Sequence, residues 1–416
     1  MSDPGAVTEG LPLHGLRVLE LGHIVAGPSA GLILADLGAD VIKIEHPQSG
    51  DAARNMPNQG STFYTFNRNK RSLALDLKAP GGLEVFGRLV RSADVVVDNF
   101  APGTLERLGI DYLWASRLNP GIIYCSVKGF LPGPHEHRPF LDELAQMAGG
   151  LAYMTGPPGQ PLRAGASVID IGAATYGVLG VLAALYQRQF TGCGQHIRAG
   201  LFETTVFWVG PYIAGAQLTG EVPEPTPVRK MGTQMGWAVY HLFPTADGRE
   251  VFIAITSNRH WARFCTTFGL DDLLADPTLS SNRKRVAQRP RLLERIGAVV
   301  RTMPFERVLK LLAEAGIPYA PVNTPADLLD DPHLREGGRL LAVDVPEHPG
   351  LRVPSLPMLV DDISYRVYRR PPRLGEHTRE VLQELGYSAA EVDDLARRGV
   401  VGEDRGMLLV EERSDG

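Results

Sequence analysis

Over its first 130 residues the chain alternates short apolar runs with stretches whose apolar positions recur every three or four residues. Leu16-Arg17-Val18-Leu19-Glu20-Leu21-Gly22 reads as a buried strand, and Gly27-Pro28-Ser29 opens a helix to Leu37 that Gly38 ends. Asp40-Val41-Ile42-Lys43-Ile44-Glu45 is a second strand, residues 81–91 have helical spacing, and residues 94–98 and 121–127 are a third and fourth strand. This alternation predicts an α/β fold with a parallel sheet covered on both faces. Such sheets take ligands at the carboxyl ends of their strands, near the point where strand order reverses.

The pattern changes near Gly220. Glu221-Val222-Pro223-Glu224-Pro225-Thr226-Pro227 reads as a stiff linker, and residues 237–243 and 250–255 flank the turn Thr245-Ala246-Asp247-Gly248 as an antiparallel hairpin. Helical patterns run to Ala315, an extended stretch covers residues 317–322, and the chain is Pro-rich from Leu340 until a helix at residues 376–385. A length of 416 residues suffices for two domains.

Composition narrows the function. With 44% hydrophobic and 21% charged residues the chain reads as an ordinary globular protein, and a net charge of −5 argues against a general binder of nucleic acid or anionic membrane. The longest apolar segment, residues 171–186, falls short of the roughly 20 residues that span a bilayer. The N-terminus lacks a signal-peptide layout, and three widely spaced cysteines (Cys125, Cys193, Cys265) fit a reduced compartment, so a cytoplasmic protein is expected. His135-Glu136-His137 lies between prolines in a loop and makes no metal pattern, so no metal is expected.

The first strand–helix turn, Gly22-His23-Ile24-Val25-Ala26-Gly27-Pro28, lacks a GxGxxG fingerprint, and no Walker-type GxxxxGK[ST] occurs. Phe66-Asn67-Arg68-Asn69-Lys70-Arg71 reads either as a solvated basic turn or as a phosphate clamp with an aromatic wall. Lys128, just past the fourth strand, suits a phosphate or carboxylate. Asp170 is the one charged residue between Arg163 and Arg188. It reads either as a helix N-cap or as a carboxylate nucleophile at the edge of an apolar wall.

Several segments together resemble the class III CoA-transferases, the formyl-CoA:oxalate and carnitine CoA-transferase family. They are residues 16–20, Gly27-Pro28, residues 38–45, Asn69-Lys70-Arg71-Ser72, Asn99-Phe100-Ala101-Pro102-Gly103, Ser126-Val127-Lys128-Gly129-Phe130, Asp170, Thr191-Gly192-Cys193-Gly194-Gln195 and Leu374-Gly375-Glu376-His377-Thr378. The resemblance implies that Asp170 attacks an acyl-CoA thioester, giving an anhydride and then an aspartyl thioester. It implies that coenzyme A, a substrate moiety rather than a cofactor, is held by Ile24, Val25, His46, Phe66, Lys70, Arg71, Asn99, Phe100, Arg107, Leu108 and Lys128. His46 stands where the family usually has arginine.

Asp142 aligns with an acidic residue beside the family's active site, and its ordinary reading is a helix-start aspartate. The α-methylacyl-CoA racemases share the fold but need a histidine before that aspartate; here the pair is Leu141-Asp142, which lacks a proton shuttle. The segments around Asp142 and Asp170 look closest to members acting on C4–C5 dicarboxylates, including succinyl-CoA-dependent transferases and the intramolecular mesaconyl-CoA C1–C4 transferase. Arg163, Arg138, Arg229 and Lys230 are candidates for a distal carboxylate. The glycine-rich flap of the formyl transferases is missing at residues 231–237. The implied fold is a large Rossmann-like domain from residues 1–220 and 336–416, with a small α+β domain at residues 221–335. The implied partners are acyl-CoA, a carboxylic acid and a second subunit in an interlocked homodimer.

Overall fold

The computed structural model of the chain describes residues 8–226, 236–361, 363 and 365–404. Arg229, Lys230, residues 231–235 of the flap position and the last linker residue, Pro227, lie outside them. The chain forms two compact units. One comprises Met1–Ala152, Arg163–Thr219 and Glu336–Gly416; the other comprises Gly220–Arg335 together with Tyr153–Leu162.

The first unit is built on a seven-stranded sheet. Its strands β1 (Arg17–Leu21), β2 (Asp40–Glu45), β3 (Lys70–Leu75), β4 (Val95–Asp98), β5 (Ile123–Lys128) and β6 (His196–Gly200) run parallel in the order β3-β2-β1-β4-β5-β6. A two-residue strand, Val401–Gly402, pairs antiparallel with β3 at one edge. Strand order reverses between β1 and β4. Side chains alternate between two cores: Val18, Val41, Val95 and Val97 face one, and Leu19, Leu21, Ile42, Ile44 and Val96 face the other.

Helices α1 (Ala26–Asp36) and α3 (Val168–Thr191) cover the first core with Ala30, Leu34, Ala173, Val178 and Val181. Between β5 and α3 lies a shorter helix, α2 (Asp142–Ala148), and after β6 come α4 (Leu201–Trp208) and α5 (Gly210–Thr219). Helix α3 sits close to the sheet because its contact positions are small. A Cβ on Gly177 would lie 2.9 Å from Cys125 Sγ, and one on Gly180 would lie 2.5 Å from Ile197 Cγ2. Its 24 residues make it, among the described residues, the one helix long and apolar enough to cross a membrane, and here it packs on β5, β6 and α1.

Strands β3 and β6 and the edge strand escape the sequence pattern. Residues 66–71, read as a loop, are the end of a helix (Ser61–Phe66) and the start of β3. The solvated-turn reading fails because Arg68, Lys70 and Arg71 are all buried in ion pairs. Each cation finds a carboxylate on a neighbouring element, which a one-dimensional pattern does not reveal.

Lys43 on β2, at 0% exposure, holds Glu20 of β1 and Asp51 with Nζ–O distances of 2.8 Å each, and Lys70 of β3 reaches the other Glu20 oxygen at 2.5 Å. Lys43 also donates to the Gly22 carbonyl at 2.8 Å. Four charges of balanced sign are thus enclosed among three strands.

The second unit has a three-stranded antiparallel sheet, β7 (Tyr240–Pro244), β8 (Glu250–Ala254) and β9 (Tyr319–Pro321), in sequential order. The hairpin β7–β8 pairs Tyr240 with Ala254 through Pro244 with Glu250, around the turn at Asp247-Gly248. Helices Asn258–Thr267, Arg289–Val300 and Phe305–Ala315 place Trp261, Phe264, Leu292, Ile296 and Leu312 with Phe243, Val251 and Ile253 in a separate core.

Removing one member of a fully buried ion pair leaves an uncompensated charge, at a typical cost of about 3–5 kcal/mol. Lys43→Met is therefore expected to lower unfolding stability by about that amount in urea titrations. A loss under about 1 kcal/mol would show that the lattice is dispensable.

Candidate active site

The turn after β1 is clamped from two sides. Asn99, one residue past β4, accepts from His23 N at 2.9 Å and donates to His23 O at 3.0 Å; Asp51 accepts from Ile24 N at 2.9 Å. Ile24 is held at φ 64°, a rare conformation for a β-branched residue. Gly27 is needed for the close approach, since a Cβ there would meet Asn99 Oδ1 and Gly22 Cα at 2.7 Å. This clamp closes the switch point between β1 and β4, at the carboxyl ends of the strands.

Lys128 ends β5 at the same edge. Its ammonium is bonded to the Asp98 carboxylate and donates to the Phe100 carbonyl at 2.9 Å. Burial pushes the Asp98 carboxyl up, against the opposing pull of Lys128. Phe100 lies half-buried with its ring 5.5 Å from that of His23.

The structure therefore brings Ile24, Asn99, Phe100 and Lys128 together at the switch point. Val25 belongs to the interior at 7% exposure. Phe66 is half-buried at the end of its helix, and His46 is exposed after β2, with Nε2 4.0 Å from Asp76. Arg107 and Leu108 follow β4 on a short helix, where Arg107 is exposed and donates to Thr104 at 3.2 Å and Leu108 is half-buried.

Lys70 and Arg71 are placed differently from what a phosphate clamp requires. Lys70 is sealed at 0% exposure, bonded to Glu20, the Pro28 carbonyl and Asn67 Oδ1, and burial lowers its pKa to about 8. Arg71 binds Asp40, Glu380 and Glu384. Residues Arg17, Asp40, Lys70 and Arg71 stand at the amino ends of the strands.

Asp170 lies in the first turn of α3. The segment β5–α3–β6 is a crossover between parallel strands, so α3 runs against the strands and its N-terminus stands at the carboxyl edge with Lys128. Asp170 is not the cap of its helix. That role falls to Asp142 of α2, whose Oδ2 accepts from Ile169 N at 2.7 Å and Asp170 N at 3.0 Å. Ser167 occupies the N-cap position with no side-chain hydrogen bond. The buried Asp142 is thus a helix-capping aspartate in trans, satisfying α3 from another helix.

No protein donor among the described residues reaches the Asp170 carboxyl. Burial, and then the charge of Asp142, push its pKa up to about 7. Gln146, on α2 one turn after Asp142, donates to Asp142 Oδ1 at 2.5 Å and accepts from Ala164 N at 2.8 Å. Arg163 beside it pairs with Glu143 at 2.8 Å. Arg138 is exposed. Sequence reading missed Gln146, His23 and Asp51, because each has a partner 18 to 76 residues away that the fold alone brings to it. No group of three or more His, Cys, Asp or Glu able to hold a metal occurs among the described residues.

The sequence profile of CoA-transferase family III matches residues 13–378. The chain belongs to CoA-transferase family III. It is 34% identical to the succinate–glutarate CoA-transferase of Agrobacterium fabrum, over 90% of this chain and 96% of that protein. It is 33% identical to the formyl-CoA:oxalate CoA-transferase of Rhodopseudomonas palustris, over 94% and 98%. A crystal structure of a CaiB/BaiF family protein from Brucella suis superposes with a TM-score of 0.81 at 33% identity, covering 90% of this chain and 99% of that one. The protein is therefore a CoA-transferase, and its large parallel sheet is the fold of this family.

In this CoA-transferase the raised pKa of Asp170 has a thermodynamic consequence. The folded state binds the proton more tightly than the unfolded chain, so this stabilisation is complete below the unfolded pKa near 4 and is lost as pH rises through about 7. Asp170→Asn removes the linkage. The variant should match wild type below about pH 4 and exceed it increasingly up to about pH 7 in thermal unfolding. A constant difference across that range would show that Asp170 is not perturbed.

Proposed function

We propose that the protein moves CoA from succinyl-CoA, or another dicarboxylyl-CoA, to a carboxylic acid acceptor through covalent intermediates on Asp170. The observation that carries this reading is a half-buried carboxyl with no hydrogen-bond partner among the described residues, at the carboxyl edge of the sheet in a chain of CoA-transferase family III. Relatives named as acting on succinate and glutarate, citramalate or malate support a dicarboxylate.

In the proposed cycle an Asp170 oxygen attacks the thioester carbonyl, the C–S bond breaks and CoA thiolate leaves, giving a mixed anhydride. The thiolate then attacks the aspartyl carbonyl carbon and releases the donor acid, leaving an aspartyl thioester. The acceptor carboxylate attacks the same carbon and expels thiolate. The thiolate finally attacks the acceptor's acyl carbon and frees Asp170. Each step exchanges one acyl bond for another, and no metal or redox group enters. The first step needs an ionised Asp170, and with no hydrogen-bond donor on it among the described residues its lone pairs are available. Ile24, Asn99, Phe100 and Lys128 would line the CoA side; Arg163, released from Glu143, is the candidate for the distal carboxylate.

A homodimer is part of the reading. Helix α5 buries none of its residues within the chain, and α3 to α5 leave Leu179, Tyr186, Phe190, Phe207 and Leu218 exposed at 55–88%. An apolar surface of that kind fits a second copy of the chain. Light scattering on the purified protein is expected to give twice the 45.2 kDa chain mass; a monomer at micromolar concentration would remove this part.

The activity test incubates the protein with succinyl-CoA and a panel of carboxylic acids in D₂O and reads CoA esters by mass spectrometry. A new ester free of α-deuterium is expected, lost in Asp170→Asn. Its kcat/KM should rise with pH through a limb near 7, because only the ionised carboxyl attacks. Exchange persisting in a folded Asp170→Asn would falsify the nucleophile assignment. Isomerisation of mesaconyl-CoA alone would point instead to intramolecular transfer.

A further inference from the structure

Helix α2 is inverted with respect to an ordinary surface helix. Its apolar edge, Leu144 and Met147, and the preceding Leu141 are 47–68% exposed, while Asp142 and Gln146 turn inward at 5% and 0%. Burying a carboxylate and an amide is unfavourable unless both are hydrogen-bonded, so the inward edge must be held by specific partners.

Those partners leave one arrangement. Ala164 N can only donate, so the Gln146 atom facing it at 2.8 Å is Oε1, and the atom at 2.5 Å from Asp142 Oδ1 is the donating Nε2. The other Asp142 oxygen accepts from Ile169 N and Asp170 N. Both oxygens of Asp142 therefore act as acceptors, from two different elements.

We propose that Gln146 is a positioning residue for the transfer reaction: its amide locks Asp142 as the cap of the Asp170 helix and ties the Arg163 loop to that cap. The proposal rests on the reading of Asp170 as nucleophile. Among the charged groups of the described residues, Asp142 alone bears on the Asp170 carboxyl. On the other packed elements, Glu203 of α4 accepts from Leu131 N, Lys128 of β5 is bonded to Asp98, His196 of β6 is hydrogen-bonded to Ser126 while Arg198 of β6 is exposed, Asp36 of α1 is paired with Arg68, and Glu143 of α2 is paired with Arg163. A change at Gln146 thus reaches Asp170 through Asp142.

The test compares Gln146→Glu and Gln146→Leu with the full-length wild type. Gln146→Glu sets a second carboxyl against Asp142 Oδ1 and adds negative charge near Asp170. The alkaline-rising limb of kcat/KM should move up by about one pH unit, an approximately tenfold loss at pH 6 that closes above pH 9. Gln146→Leu removes both hydrogen bonds; kcat should fall about 10- to 100-fold through misplacement of the nucleophile, and the acceptor KM should rise as the Arg163 loop is freed. Carboxyl ¹³C NMR of the substrate-free protein, with Asp170 assigned by Asp170→Asn, gives the same titration independently of turnover.

Variants that lower only the melting temperature, with wild-type kcat, KM and pH limb, would overturn the proposal and leave Gln146 a structural residue. If the wild type transfers no CoA, the functional reading fails on that control. The NMR titration still decides the coupling: an Asp170 midpoint unmoved in both variants overturns it.

Discussion

The turn after β1, at the carboxyl edge of the sheet, is held by one enclosed set of charges. Glu20, Lys43, Asp51 and Lys70 join β1, β2 and β3 beneath the first turn, with no water-exposed side-chain surface on Glu20, Lys43 or Lys70. Asp51 uses one oxygen to hold Lys43 and the other to hold Ile24 N. The left-handed conformation of Ile24 persists because Asp51 and Asn99 over-determine the turn around it. A buried ion pair is a poor source of net stability compared with apolar packing. Its effect here is geometric: it fixes the turn at which the strand order reverses.

Two opposing fields act on Asp170. A helix N-terminus favours an anion by about 0.3–1 kcal/mol at exposed sites, less than the 1.36 kcal/mol that corresponds to one pH unit of titration. Burial and the Asp142 charge act the other way and bring the carboxyl to about 7. Burial wins because α3 packs tightly on the sheet and its first-turn N–H groups at Ile169 and Asp170 are already engaged by Asp142. The outcome is a carboxyl that changes charge near neutral pH in a poorly solvated setting, which is what the proposed nucleophile requires.

Much of this was legible in the chain. The apolar runs and the three-to-four-residue recurrence located β1, α1, β2, β4, β5 and the β7–β8 hairpin within a residue or three, because the central strands are apolar on both faces, each face meeting a core, and the other elements place apolar residues in a core. Strand β3 was not legible. It begins with Lys70 and Arg71, and a strand that buries cations looks polar until its counter-charges are known. The isolation of Asp170 between Arg163 and Arg188 marked it as unusual, yet residue type alone favoured a helix cap, a role that the fold gives to Asp142.

By itself the sequence determined the class of fold, the order of its elements and the identity of the family, since those depend on local periodicity and on residues quoted in order along the chain. Tertiary structure decided which charged groups are left unpaired or accessible and which are consumed inside the protein. Lys70 moved from a proposed clamp into the interior, Asp142 became the cap of a helix 28 residues away, and Gln146 emerged as the link between Asp142 and the backbone N–H of Ala164 beside Arg163. The physical reason is that a charge or amide takes its role from the partner it meets on folding. Those partners lie on other strands and helices, where no pattern of neighbouring residues records them.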